Sequence, residues 1–336
     1  MARITSRLNA LRHALREHTR LRVAVELALL ATFLGLLIWG VRGSFHAAGK
    51  DLSNADPTYF VLACLAVAAY YLVFVLGWMR ILSDWGVKIS YSTALNSEIV
   101  SMLAKYVPGG VWTPAARVVA MRRAGVNDAA LVTAAMLIEA GLSAVAGVLV
   151  FAISLVWVRG VNGPVIPIGV FGIVIALLLH PRVFHALATR FLRRFGYREL
   201  PPMRASTLAG LLVFYAGTWV IGGLGLWLLL RSVGAHPAPS TVVFLGGVSA
   251  VGAIVAVLAF FAPSGLGARE GSMYGLMLAI TSSGTALSAT LLNRVAITLV
   301  EVLLFLFGVL VLRRKERRGS RAASPAPAAS GSGPRP

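Results

Sequence analysis

Uninterrupted apolar runs recur along the whole chain, and their length leaves few folds open. They lie at 23–41, 58–79, 129–158, 164–180, 207–230, 240–262, 268–283 and 288–312. A helix needs roughly 20 apolar residues to cross about 30 Å of hydrocarbon, and most of the runs reach that length. Backbone in lipid must satisfy its own hydrogen bonds, which admits only helices or closed barrels. The runs are continuous, without the alternation of a barrel strand. They predict an all-α, polytopic membrane bundle over 23–312 with eight crossings, the seventh of them short. Composition agrees: 58% of the 336 residues are hydrophobic, 13% are charged, and the mean hydropathy is +0.81. A water-soluble domain has too little polar surface in such a chain to cover itself.

The net charge of +19 raises the question of nucleic acid, but the cations sit at run ends and in short loops, not along one face, so no nucleic-acid partner is expected. Their distribution orients the bundle instead. With the N-terminus cytoplasmic, the inner side holds Arg80, Lys88, Arg117, Arg122 and Arg123, then Arg182, Arg190, Arg193, Arg194, Arg198 and Arg204, and then the basic stretch from Arg313 to Arg321. The outer loops keep Arg42, Lys50, Arg159 and Arg231. The expectation is a multi-pass cell-membrane protein with both termini cytoplasmic. Residues 1–22 are a basic cytoplasmic segment, and the run after them is too long for a signal peptide and lacks a clean cleavage site, so it is read as a retained first span. Residues 313–336 are read as a basic, then Ser/Ala/Pro/Gly-rich disordered tail. Cys64 is the one cysteine and excludes an intrachain disulfide.

Residues 91–124 fit no simple crossing, because the loops on both sides read as cytoplasmic. A helix-like stretch ends in Val107-Pro108-Gly109-Gly110, and a second helix is expected with Thr113 as N-cap and Pro114 at the first helical position. From Pro114 to Ala124 is about 16 Å of helix, half a membrane. The segment therefore reads as a re-entrant hairpin. Thr93, Ser97, Ser101 and Lys105 recur every four residues, with Glu98 on roughly the same side, a stripe that calls for a polar cavity or a protein partner. The new helix would aim free N–H groups at the tip beside Lys105, with Arg117 one turn on, which suits an anion such as a lipid phosphate. The competing reading is an interfacial connector with Lys105 snorkelling to water.

A second interruption, at 262–270, reads Ala262-Pro263-Ser264-Gly265-Leu266-Gly267-Ala268-Arg269-Glu270. A helix starting near Gly267 puts Glu270 well against its dipole, whereas Arg269 needs an anionic partner or solvent. An ordinary cytoplasmic turn is the alternative. Pro/Gly-interrupted segments at corresponding places in two halves point to a transporter binding site, although eight crossings make the halves parallel and not inverted. Glu139, Arg294 and Glu301 lie inside spans, where charge is either functional or bridges helices. Gly246-x-x-x-Ala250 and the glycines at 222–225 suggest close helix packing. There is no Walker motif, no zinc-protease motif and no paired-cysteine site, so neither cofactor nor metal is expected.

At these motifs the sequence resembles the lysylphosphatidylglycerol synthase transmembrane-region family. The carriers are Lys105-x-x-Pro108-Gly109 with Arg117 following, and Pro263-Ser264-Gly265-Leu266-Gly267-x-Arg269-Glu270; Glu139 and the Arg294…Glu301 segment also match positions where the family tends to carry charge. The resemblance spans roughly 20–315. It implies the flippase-like module of the multiple peptide resistance factor in its stand-alone form, a bacterial membrane protein moving an anionic or aminoacylated phospholipid or a polyprenyl-linked lipid between leaflets. In the full-length factors a soluble C-terminal domain performs aminoacyl transfer; here only a short tail follows, so no enzyme activity is expected. Lys105, Pro108, Gly109, Gly110, Arg117, Pro263, Gly265, Gly267, Arg269 and Glu270 are the expected lipid- or anion-binding residues. Glu98, Glu139, Arg294 and Glu301 are the expected intramembrane charge partners. The alternative is a non-catalytic scaffold for a cell-envelope glycosyltransferase or lipid synthase.

Overall fold

The structure is a computed structural model that describes residues 45–105, 112–155, 203–259 and 262–322. The expected runs 23–41 and 164–180 and the chain beyond residue 322 lie outside them. Every regular element among the described residues is helical. In chain order these are α1 (Phe45–Ser53), α2 (Pro57–Asp84), α3 (Tyr91–Ala104), α4 (Trp112–Arg123), α5 (Ala129–Ser154), α6 (Ala205–Ser232), α7 (Thr241–Leu258), α8 (Ala268–Met277) and α9 (Ser283–Ala322). A 3-10 turn, Pro263–Gly265, stands between α7 and α8. Five of the helices, α2, α5, α6, α7 and the 283–308 portion of α9, are long and apolar enough to cross a membrane.

Local chemistry sets several helix starts. Asp56 accepts the Thr58 N–H at 2.7 Å ahead of α2, with Pro57 in the first turn, and Asp128 accepts the Leu131 N–H at 3.0 Å ahead of α5. Helix α4 begins at Trp112, so Thr113 is inside it and not its cap. Pro114 still falls in the first turn, where its missing N–H forfeits no intrahelical bond.

Helices α2 and α6 run antiparallel side by side. At one end the Asp56 N–H donates to the Ser232 carbonyl at 2.7 Å; at the other the Thr207 hydroxyl donates to Asp84 at 3.0 Å. Helix α7 packs on α6 and α5 through glycines. A Cβ on Gly246 would sit 2.6 Å from the Trp219 carbonyl oxygen, and one on Gly247 would sit 2.6 Å from the Phe151 backbone. Trp219 closes the same seam by donating its indole N–H to the Ser143 carbonyl at 2.7 Å.

Two apolar cores mark the ends of the bundle. At the first end, Val75, Ile81 and Leu82 of α2 meet Ala94 of α3, Met121 of α4, Val132 and Ala135 of α5, and Leu211 of α6. At the second, Phe151 of α5 and Leu226, Leu229 and Leu230 of α6 meet Phe244 and Leu245 of α7, Met273 and Met277 of α8, and Ala286 and Ala289 of α9. Helices α3 and α4 thus form a hairpin rooted at the first end, and α7 and α8 form one rooted at the second. The run 268–283 corrects the expectation of a seventh crossing. Helix α8 has ten residues, about 15 Å of rise, and it returns along α7 to the end from which α7 set out. The two helix pairs accordingly enter the bundle from opposite ends, an inverted and not a parallel relation.

Candidate functional site

Helix α3 is about 21 Å long and α7 about 27 Å, so each is shorter than the roughly 42 Å of α2 while together they exceed it. Lys105, just past α3, and the turn after α7 meet inside the bundle. The contact is direct: the Ser264 N–H donates to the Lys105 carbonyl at 3.1 Å. Ser264 holds φ 54°, in the left-handed region that a non-glycine residue enters only when its surroundings hold it there. Gly265 follows at φ 64°, and a Cβ there would run into Ala256 of α7. Gly267, at φ 83°, gives its N–H to the Glu270 carboxylate at 2.6 Å, closing the first turn of α8. This is the favourable placement expected of Glu270.

Charged side chains from the end of α3, from α8 and from α9 gather around this junction. Lys105 pairs with Glu301 of α9, and the Tyr71 hydroxyl of α2 donates to the same carboxylate. Arg294, two helical turns earlier on α9, reaches Glu270 at 3.3 Å and donates to the Ser264 carbonyl at 3.4 Å. Arg269 and Arg294 are near enough to Lys105 for their charges to act on it. Among the described residues the Arg269 guanidinium has no ion-pair partner, and its buried Nε–H finds no acceptor. The snorkelling alternative for Lys105 gives way to a pairing inside the protein.

Toward the first end lies a second cluster, built on Arg117. Its guanidinium is 3% exposed and stands between Glu98 of α3 and Glu139 of α5, 2.6 Å from the latter. The ring of Trp78 lies 4.7 Å beneath it, and its Nε–H points to the Ser101 hydroxyl at 3.4 Å. Two carboxylates already meet this charge, so Arg117 holds the α3–α4 hairpin to α5 where an anion-binding role was expected. Of the polar stripe on α3, Ser97 and Ser101 are buried and Lys105 ends the helix at the junction.

Glu98, Glu139, Glu270 and Glu301 each meet a cation that the sequence had marked as a candidate: Arg117, Arg117, Arg294 and Lys105. Pro108, Gly109 and Gly110 lie outside the described residues. Pro263, Gly265 and Gly267 form the bend that faces Lys105. Tyr71 was missed, because an aromatic residue in an apolar run reads as lipid-facing bulk, and Trp78, near the end of its run, reads as an interfacial ring where the structure buries it under Arg117. The signal available was the Tyr70–Tyr71 pair at mid-span, since a phenol far from either interface needs a hydrogen-bond partner. Among the described residues no cluster of His, Cys, Asp or Glu could hold a metal ion.

Comparison with known proteins sets this geometry in context. The family model described as lysylphosphatidylglycerol synthase TM region matches residues 23–305, which include both interruptions and all four ion-paired carboxylates. No curated protein matches the chain.

Proposed function

The chain belongs to the lysylphosphatidylglycerol synthase TM region family, and on that premise we propose that it is a lipid translocator, a flippase-like membrane protein that binds the phosphate of an anionic or aminoacylated phospholipid or of a polyprenyl-linked lipid at the junction of its two hairpins. Both hairpins are re-entrant in this reading. The first end is cytoplasmic, because Arg80, Lys88, Arg122, Arg123 and Arg204 gather there against Lys50 and Arg231 at the other. Irregular backbone at membrane depth persists only inside protein or beside a cavity, and paired interruptions of this kind are where transporters hold substrate.

The observation that carries the reading is the juxtaposition at the junction. Two broken segments touch through Ser264 and Lys105, and beside them Arg269 stands unneutralised among the described residues. A half-buried guanidinium without a counter-charge is costly to desolvate, and a lipid phosphate would meet it with paired hydrogen bonds. Lys105 and Arg294 would share that phosphate while keeping their carboxylates. Nothing in this scheme requires a nucleophile, so the proposed activity is transport and not group transfer.

The test is leaflet exchange of head-group-labelled lipids in liposomes containing the purified chain. Arg269→Ala should slow exchange at least tenfold with little change in unfolding, because the side chain holds no described pair. Wild-type exchange in that variant, or none by the wild type across a panel of lipids, overturns the proposal. Capture of a cell-envelope synthase unaffected by Arg269→Ala would favour the scaffold reading.

A further inference from the structure

The face between α3 and α4 is a second surface of the first hairpin, separate from the junction and from the Arg117 cluster. Thr93, Asn96, Ser97 and Val100 fall at helical spacing on one wall, and Trp112, Val119 and Arg123 line the other. They bound a cleft of about 740 Å³, within the roughly 300–1,000 Å³ typical of ligand sites. Val100, Val119 and Trp112 are 41%, 49% and 50% exposed, so the cleft opens sideways and no described element covers it.

Its polarity runs along the hairpin. The helices are antiparallel, so Thr93 and Asn96 share the root end with Arg123, while Val100 and Trp112 lie toward the tip. Arg122 and Arg123 are exposed at the root, no acidic residue is among the described lining, and Arg123 has no ion-pair partner among the described residues. A cationic, hydroxyl- and amide-bearing mouth leads into an apolar slot. That is the order of groups in one phospholipid standing in the leaflet on that side.

We propose that this cleft is a docking site for a single anionic phospholipid, its phosphate on Arg123 and one acyl chain between α3 and α4. The proposal rests on the re-entrant reading of the hairpin, and it supplies what the junction alone lacks: a place where substrate is selected from the leaflet before its head group reaches Lys105 and Arg269. An apolar slot alone does not select a lipid in a bilayer, where tails are as apolar as leucine; selection comes from the mouth.

The experiment is photo-crosslinking of the full chain in liposomes, using phosphatidylglycerol with a diazirine in one acyl chain, followed by peptide mapping. Label should concentrate on the α3 and α4 residues of the cleft, and unlabelled phosphatidylglycerol should compete several-fold better than phosphatidylcholine. Arg122→Gln with Arg123→Gln should reduce the cleft signal at least fivefold, and Val119→Trp should abolish it while label on α2 and α9 stays constant. Ala120→Leu narrows the slot more gently if the tryptophan variant fails to fold. Equal labelling by a phosphatidylcholine probe means an annular lipid only and overturns the proposal, as does label undiminished in the slot-filling variants. Cleft labelling without leaflet exchange would leave the docking site standing and remove the translocation reading; exchange without cleft labelling would do the reverse.

Discussion

Replacing Arg117 with methionine removes the cation that α3, α4 and α5 share, leaving Glu98 and Glu139 close together without it. Removing one partner of a buried pair costs about 3–5 kcal/mol, since the remaining charge stays buried and uncompensated. Two carboxylates depend on this one cation, and withdrawing a desolvated guanidinium from the Trp78 ring adds about 2 kcal/mol. These contributions share one group and do not add in full. The expected loss is therefore about 4 kcal/mol, roughly a thousandfold in the folded-to-unfolded ratio. Denaturant unfolding of the detergent-purified chain, followed by tryptophan fluorescence and retention on size exclusion, measures it. The decisive arm is Arg117→Met combined with Glu98→Gln and Glu139→Gln. Replacing the whole ionic cluster with neutral groups should recover more than half of the loss, because no buried charge is left unpaired. If the single variant unfolds with the wild type, or the triple variant is as weak as the single, the hairpin is not held by this cluster.

Gly265→Ala should lose about 2 kcal/mol or more, as its φ is left-handed and its Cβ would strike Ala256, whereas Gly275→Ala on the open face of α8 should be neutral or stabilise by about 0.5–1 kcal/mol; unfolding of the two variants side by side checks this. Gly246→Leu should reduce the folded yield severalfold by forcing α6 and α7 apart at Trp219, read as monodisperse protein recovered after extraction. Exchanging charges, Lys105→Glu with Glu301→Lys, should restore stability lost in either single variant but not lipid exchange, because the cation then stands on α9 and a carboxylate takes its place beside Ser264; wild-type exchange in the double variant would make Lys105 a strut only.

How much of this was legible from sequence varies with the kind of question. Runs such as 58–79 and 129–158 became α2 and α5, and the Asp56-Pro57 and Asp128 signals mark where those helices begin. Hydropathy could not say whether 268–283 crosses or returns, since both paths present the same apolar residues to their surroundings. Burial was equally hidden: Val61 and Leu65 of α2 are exposed while Val75 and Ile81 of the same helix are fully buried, with no difference in residue type. In water that contrast writes an amphipathic stripe into the sequence; in lipid both faces are apolar and the stripe vanishes. The charged residues stood out because each is an exception in such a background. Their pairing did not, because Lys105 and Glu301 lie 196 positions apart and spacing along a helix does not tell which neighbour it faces. Glu98 shares a stripe with Lys105 but pairs with Arg117 across the hairpin.

The distribution of those pairs bears on how such a protein could move. The 283–308 portion of α9 carries one charge of each sign, Arg294 and Glu301, two turns apart on one side; Arg294 engages the second hairpin through Glu270 and Ser264, and Glu301 engages the first through Lys105. Among the described residues the two hairpins also touch directly, through one backbone hydrogen bond at a strained serine. Roots packed by large apolar cores resist displacement, whereas ends joined by one hydrogen bond and a few charged contacts do not. On the proposed function, the junction is where the two arms would shift, and α9 is the element against which they would do so. A phosphate beside Arg269 would be shared by Lys105 and Arg294, and so would weaken without breaking the contacts that hold the ends to α9. On that proposal, substrate binding and loosening of the junction would be one electrostatic event, as a carrier with two opposed hairpins requires if it is to open toward one leaflet at a time.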